Sequence, residues 1–155
     1  MGEAKMQAKA NNPAKSDRRR VVFHVDANSA YLAWEAVWRL QHGATLDLRT
    51  IPSVVGGDPE SRHGIVLAKS GPAKKYNIQT GEVIWQARQK CPNLVIVPPN
   101  YTLYVMCHQA MIEILRDFSP SVQVYSIDEA FIDYTGMEEI YGPPIEGAYK
   151  LKNRI

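Results

Sequence analysis

The sequence predicts an α/β (α+β) fold, because two kinds of segment alternate along it. Short apolar runs rich in β-branched residues, at 21–25, 53–55, 65–68, 94–97 and 122–133, have the composition of strands. Stretches with helical spacing of apolar residues, at 30–40, 82–90 and 104–118, stand between them. With 155 residues, 45% hydrophobic and 22% charged, the chain has material for one globular core. Its longest apolar stretches are four or five residues, against the roughly 20 that a membrane span needs, so no membrane partner is expected.

Residues 1–20 hold almost no large apolar side chain and no apolar stretch of the kind that directs export, so a disordered basic tail is expected there. Lys5, Lys9, Lys15, Arg18, Arg19 and Arg20 face only Glu3 and Asp17, a balance of +4. The whole chain is +2, so residues 21–155 carry −2 and lack the basic excess of a self-sufficient duplex-binding domain. Cys91 and Cys107 are the only cysteines and form no Cys-x-x-Cys pair, which reads as a reducing, cytoplasmic setting.

Val21-Val22-Phe23-His24-Val25 reads as a strand buried on both faces, closed by Asp26. Ala30 to Leu40 follows as a helix, with Asn28 or Ser29 as its cap and Gly43 beyond its end. Ser53-Val54-Val55 and Ile65-Val66-Leu67-Ala68 read as strands around a polar loop, Gly56-Gly57-Asp58-Pro59. Pro72 suits the first turn of a short helix and Asn77 the left-handed position after it. Thr80 is expected to cap a helix from Glu82 to Lys90, before a strand at 94–97. Tyr104, Cys107 or His108, Met111, Leu115 and Phe118 recur at three- and four-residue steps, the stripe of a core helix that Pro120 stops. The run from Val122 to Asp133 reads as one strand with unusual polar content.

The chemistry gathers in acids. Asp26 closes one apolar strand, and Asp128 with Glu129 interrupts another. Carboxylates brought together on neighbouring strands repel one another and lose hydration, and a divalent cation relieves both costs. Oxygen donors without Cys or His at ligand spacing suit Mg²⁺ or Mn²⁺ rather than Zn²⁺, and phosphate is the usual companion of such ions. A second reading fits the same residues: Asp26 caps a helix, and Asp128-Glu129 sits in a hairpin turn. On a strictly extended strand Asp128 and Glu129 face opposite sides, so a shared ion requires a bend or bulge there.

Phe23-His24-Val25-Asp26-Ala27-Asn28-Ser29-Ala30-Tyr31 and Tyr125-Ser126-Ile127-Asp128-Glu129-Ala130-Phe131-Ile132-Asp133 resemble the two acid-bearing motifs of the Y-family, translesion DNA polymerases. Gly64 to Ala68, Ala73-Lys74-Lys75-Tyr76, Gly81 and Cys91-Pro92-Asn93 fall between them in the order and spacing of that family's fingers. The resemblance covers residues 21–155 and looks closest to the UmuC-like and ImpB/MucB-like bacterial branch. It implies an incomplete polymerase palm sheet with flanking helices and a small fingers subdomain. Residues 21–50 and 100–155 would be palm and 51–99 fingers, with the remaining palm, the thumb and the little finger absent. It also implies an enzyme of the bacterial cytoplasm, associated with the nucleoid, and a piece inactive alone.

By that resemblance two Mg²⁺ ions, or Mn²⁺, are held by Asp26 and Asp128 as bridging ligands, the Ala27 carbonyl, and Glu129. Primer–template DNA and a dNTP are the implied substrates, with a sliding clamp or a recombinase as candidate partners. Asn28, Ser29 and Ala30 would meet the triphosphate, Tyr31 would be the steric gate that excludes a ribose 2′-hydroxyl, and Lys74 would contact the β- and γ-phosphates. Ile65 and Leu67 would pack on the nascent base pair. The chain departs from the family at Ala68, where a hydroxyl side chain is common, and at Gly71, where a Tyr is; Ser70 or Lys69 are the candidate substitutes. Lys74 stands where Arg is more usual, a point charge in place of a fork. Two rivals are a haloacid-dehalogenase-like phosphotransferase, which wants other residues than Asn28 and Ala30, and a non-catalytic interaction module with the polymerase fold.

Overall fold

The computed structural model describes residues 19–57 and 64–155. The expected tail thus lies outside the described residues except for Arg19 and Arg20, as does the loop from Asp58. Twelve elements follow: β1 (Val22–Asp26), α1 (Ala30–Gln41), β2 (Ser53–Gly56), β3 (Val66–Lys69), α2 (Gly71–Lys74), α3 (Ile84–Lys90), β4 (Val95–Val97), α4 (Tyr101–Phe118), β5 (Val122–Val124), β6 (Glu129–Asp133), α5 (Glu138–Tyr141) and α6 (Pro144–Lys152).

They build two three-stranded sheets, ordered β1-β6-β5 and β3-β2-β4. β1 and β6 run antiparallel with Val22 opposite Asp133 and Asp26 opposite Glu129. Phe23, Val25, Ala130 and Ile132 turn to the covered face, where Met111, Ile112, Leu115 and Phe118 of α4 and Leu151 of α6 pack on them. Residues of the other parity, Val22, His24 and Asp26, stay exposed. The first strand is therefore half exposed rather than buried on both faces, because no layer covers its second side among the described residues. Apolar β-branched composition alone does not reveal this.

The other sheet does have two covered faces, and its central strand β2 is buried at every position. Val54 packs with Ile78, Ile84, Ala87 and Leu94 on one side. Val55 packs with Leu32, Ala36 and Tyr104 on the other, which joins this sheet to α1 and α4. Ser70 locks the start of α2 onto β2: its hydroxyl donates to the Ile51 carbonyl at 2.7 Å and accepts from Ser53 N–H at 3.1 Å and Ala73 N–H at 3.0 Å.

Three further expectations are corrected. α1 does begin after Ser29, but Ser29 makes no side-chain cap; its backbone is left-handed, with φ 51° and ψ 43°. α3 begins at Ile84 with Val83 at its cap, because Gly64 O accepts Ile84 N–H, and Gln79 O and Val66 O hold Glu82 and Gly81 in turns. The supposed strand 122–133 is a hairpin of β5 and β6. Its turn closes where Tyr125 N–H and Ser126 N–H both donate to Glu129 O, at 3.0 and 3.1 Å. Asn77 takes the expected left-handed conformation, φ 55°.

α6 reaches the sheet through Gly147, which lies against the ring and hydroxyl of the buried Tyr134; any Cβ there would overlap them. That hydroxyl in turn donates to Gly142 O at 2.7 Å. Gly147→Ala is expected to destabilise the chain by roughly 1–3 kcal/mol, the range for overpacking a filled site, read as a lowered urea midpoint.

Asp133 ends β6 with one oxygen accepting from Thr135 N–H at 3.1 Å and the other from Arg20 Nε at 2.8 Å. The Thr135 bonds, and then Arg20, hold its carboxyl below the usual carboxylate range. A depressed native-state pKa gives stability that is present above the unfolded-state value and is lost as pH falls through the native value. Asp133→Asn is therefore expected to lower stability by about 1 kcal/mol at pH 7 and by less at pH 3, measured by urea unfolding at both.

Candidate functional site

The two acid-bearing segments meet at one corner of the β1-β6-β5 sheet. The antiparallel register sets Asp26 directly across from Glu129, so both side chains project on the same, open face. Ala27 N–H donates to Asp128 O at 3.0 Å and ties the residue after the first acid to the second motif. Asp128 itself lies in the bend between β5 and β6, not on an extended strand. The alternation that would separate it from Glu129 is broken there, as a shared site requires.

Ser126 exploits that bend. Its hydroxyl donates to Asp128 Oδ1 at 2.8 Å and lies 3.4 Å from Glu129 Oε2. His24 Nε2 lies 3.8 Å from Glu129 Oε1, and its ring stacks on Phe131 with centroids 4.5 Å apart. His108 Nδ1 meets the Ile127 carbonyl at 2.8 Å, which fixes the turn to α4 from behind. As the side chains stand, no three His, Cys, Asp or Glu among the described residues converge on a single ion position. The backbones of Asp26, Asp128 and Glu129 are brought together; the Asp128 carboxylate is held by Ser126, and the Glu129 carboxylate lies between Ser126 and His24.

A cavity of about 370 Å³ opens beside Asp128. Ser29, Ala30 and Tyr31 from the start of α1, Leu67, Ala68 and Lys69 from β3, Lys74 from α2, and Thr80 line it with that acid. Six expected site residues, Ser29, Ala30, Tyr31, Leu67, Lys74 and Asp128, thus share one hollow. Asp26, Ala27 and Asn28 line a second groove, about 300 Å³, along the outer edge of β1. Glu129 and Ile65 line neither; Ile65 is 42% exposed and bridges Val83 outside the strand. A larger hollow beside α3, lined by Gln79, Glu82, Trp85, Gln86, Gln89 and Lys90, shares no residue with the acid corner and none of its chemistry.

The β3 and α2 wall of the cavity differs from expectation. Ser70 cannot replace the hydroxyl missing at Ala68, since it is 1% exposed and its oxygen is committed to β2 and α2. Lys69 reaches the cavity, but its ammonium is bonded to Ile78 O at 2.7 Å and Gln79 Oε1 at 3.0 Å. Thr80 brings a hydroxyl to the same wall. Its place next to Gly81 in a turn reads as a helix cap from sequence, so only the fold reveals it.

Tyr31 is set against the ring of Tyr104, centroids 4.4 Å apart and planes 8° from parallel. Burial, followed by the charge of Asp128 and then the Tyr101 phenol, raises its pKa above the ordinary tyrosine value. The phenol therefore stays neutral at the edge of the cavity.

Comparison with known proteins identifies the family and the fold. Residues 25–155 match the impB/mucB/samB family. DNA polymerase IV of Clostridium acetobutylicum is 49% identical over 140 residues, 88% of this chain and 34% of that protein. DNA polymerase IV 2 of Bacillus subtilis is 33% identical over 138 residues, 89% of this chain and 32% of that one. The chain thus spans about a third of the length of the curated relatives it matches. Among solved structures, a Y-family DNA polymerase chimera superposes with TM-score 0.71 at 25% identity, over 86% of this chain and 38% of the other. DinB from Sulfolobus solfataricus superposes with TM-score 0.70 at 27% identity, over 86% and 37%. The fold is that of the Y-family polymerases, and the chain belongs to the impB/mucB/samB family.

Proposed function

We propose that the chain is the nucleotide-binding and metal-binding portion of a translesion DNA polymerase that acts on primer–template DNA and a dNTP. The single observation that carries this is the juxtaposition of Asp26 with Glu129 and of Ala27 with Asp128, beside a cavity that holds Tyr31 and Lys74. Family membership sets aside the haloacid-dehalogenase alternative. In this reading residues 21–50 and 100–155 form the palm and 51–99 the fingers. A cytoplasmic, nucleoid-associated role in a bacterium is part of this reading, supported by relatives that are bacterial DNA polymerases; a clamp or recombinase partner enters by the resemblance alone.

Y-family polymerases use divalent metals, and the donor set here suits them: carboxylates of Asp26, Asp128 and Glu129, the Ala27 carbonyl, and no soft ligand at the corner. The segments that carry these acids already adjoin, Asp26 across from Glu129 and Ala27 N–H on Asp128 O. Bound there, Mg²⁺ or Mn²⁺ would lower the pKa of an attacking 3′-hydroxyl and neutralise charge on the leaving pyrophosphate. The chain's own residues do the rest. Lys74 and the N–H groups of Asn28 and Ser29 orient the triphosphate, with Ala30 beside them on the cavity wall and Thr80 as a further wall residue that carries a hydroxyl. Leu67 offers an apolar platform to the base, a role in which Ile65 has less support because it sits outside the hollow. Tyr31 closes the sugar side, its ring occupying the space a 2′-hydroxyl would need.

The test is a hybrid in which residues 19–155 replace the matching third of the Clostridium acetobutylicum relative. Asp128→Ala in that hybrid should cut primer extension by roughly a thousandfold or more, the several kcal/mol that charge stabilisation at a metal supplies. Extension at the parent rate would remove the metal assignment. Tyr31→Ala should raise ribonucleotide incorporation at least tenfold relative to deoxyribonucleotide, measured as a ratio of kcat/KM, and an unchanged ratio would remove the gate. In the 155-residue chain, Mn²⁺ binding followed by electron paramagnetic resonance should be lost in Asp26→Asn. Binding unaffected by that change would favour a non-catalytic module.

A further inference from the structure

The ring of Tyr31 does not stand by itself: it belongs to an aromatic cluster whose one fully buried member is Tyr104. Tyr104, 0% exposed, lies parallel against it at 4.4 Å. Trp34 tilts onto both rings at 6.3 and 6.2 Å, and Tyr101 meets both edge-on at 6.4 and 6.0 Å. Behind the stack, Tyr104 Oη lies 3.4 Å from Glu35 Oε2. Glu35 is 2% exposed and takes Arg39 Nε at 2.7 Å on its other oxygen, one turn along α1.

A carboxylate at that depth is costly unless its charge is met, and Arg39 and the Tyr104 hydroxyl meet it from two sides. The pair is therefore a fixed post rather than a surface ornament. Burial, opposed by an Asn100 backbone bond and reinforced by Glu35, pushes the Tyr104 phenol up to about 12, so its proton stays in place as donor throughout the neutral range. Tyr31 has no comparable tether. Among the described residues its hydroxyl makes no hydrogen bond, and its ring is placed by packing, with the parallel ring of Tyr104 its nearest aromatic neighbour.

We infer that Tyr104, buried behind Tyr31 and stacked parallel to it, is a positioning residue whose ring holds the ring of Tyr31 against the sugar side of the cavity and thereby sets discrimination between ribose and deoxyribose. The inference rests on the proposed gate. An offset or parallel stack is worth about 0.5–1.5 kcal/mol beyond its area, enough to favour one ring orientation roughly three- to tenfold. A ring released from that stack has space to swing, and a gate that swings admits a 2′-hydroxyl.

The experiment uses the 155-residue chain with ring-¹³C tyrosine, titrated with dATP and with ATP in the presence of Mg²⁺, in the parent and in Tyr104→Leu, Tyr104→Phe and Tyr31→Ala. The parent should favour dATP. Tyr104→Leu should shift the Tyr31 ring resonances and reduce the dATP preference at least threefold, whereas Tyr104→Phe, which keeps the stack, should retain the preference within twofold. An unchanged preference in Tyr104→Leu, with Tyr31→Ala reducing it, overturns the positioning role and leaves the gate. A Tyr31→Ala preference equal to the parent's, or no preference in the parent, removes the gate itself and this inference with it. Loss of preference in Tyr104→Phe as large as in Tyr104→Leu also overturns it, since the ring would then not be what holds Tyr31. Retained dispersion of the amide spectrum in each variant separates these outcomes from unfolding.

Discussion

The antiparallel pairing of β1 with β6 is the constraint on which the rest depends. It fixes Asp26 opposite Glu129, and one further backbone bond, Ala27 N–H to Asp128 O, carries the alignment past the end of the ladder. A slip of one residue would turn every side chain of β1 to the other face, sending Phe23 and Val25 outward and Asp26 inward. The apolar contacts of Phe23 and Val25 with α4 and α6 oppose that slip, so the burial that stabilises the sheet also holds its acids in register. Chemistry and folding here share one pattern of alternation.

Much of this was legible because strands and helices differ in period. The α1 and α4 segments and the strands at 53–56, 66–69 and 95–97 fall close to where apolar spacing puts them. What spacing could not show was context. An apolar run such as Val21 to Val25 looks the same whether one or two layers cover it, and among the described residues only one face of the strand is covered, which leaves His24 and Val22 exposed. The stretch 122–133 contains no Gly or Asn to mark a turn, so it reads as one strand. The turn is closed by short-range backbone bonds, Tyr125 N–H and Ser126 N–H to Glu129 O, with Ser126 and Asp128 as its turn-forming residues, as the hairpin alternative for Asp128-Glu129 requires.

The candidate site divides the same way. Asp26, Asp128, Tyr31 and Lys74 are found from sequence through the resemblance of two motifs, and the fold brings their segments together. Ser126, Thr80 and the stack behind Tyr31 are found only in three dimensions. Tyr104 stands 73 residues from Tyr31 in a helix whose stripe is fully explained as core, and nothing in that stripe singles out the residue that touches the cavity wall. Ser70 shows the converse: a hydroxyl at a promising position in sequence is spent on stitching α2 to β2.

Ser29 bears on how this chain tolerates change. Its φ of 51° is a torsion that side chains branched at Cβ strongly resist, whereas Gly, Asn and Asp adopt it at modest cost. Immediately before it, Ala27 O accepts Ala30 N–H at 3.1 Å, so the kink is clamped and cannot relax by sliding along the helix. In a saturation survey, position 29 will reject Val and Ile as if it recognised a ligand. The filter is torsional, and it would persist in a protein that had lost every trace of catalysis.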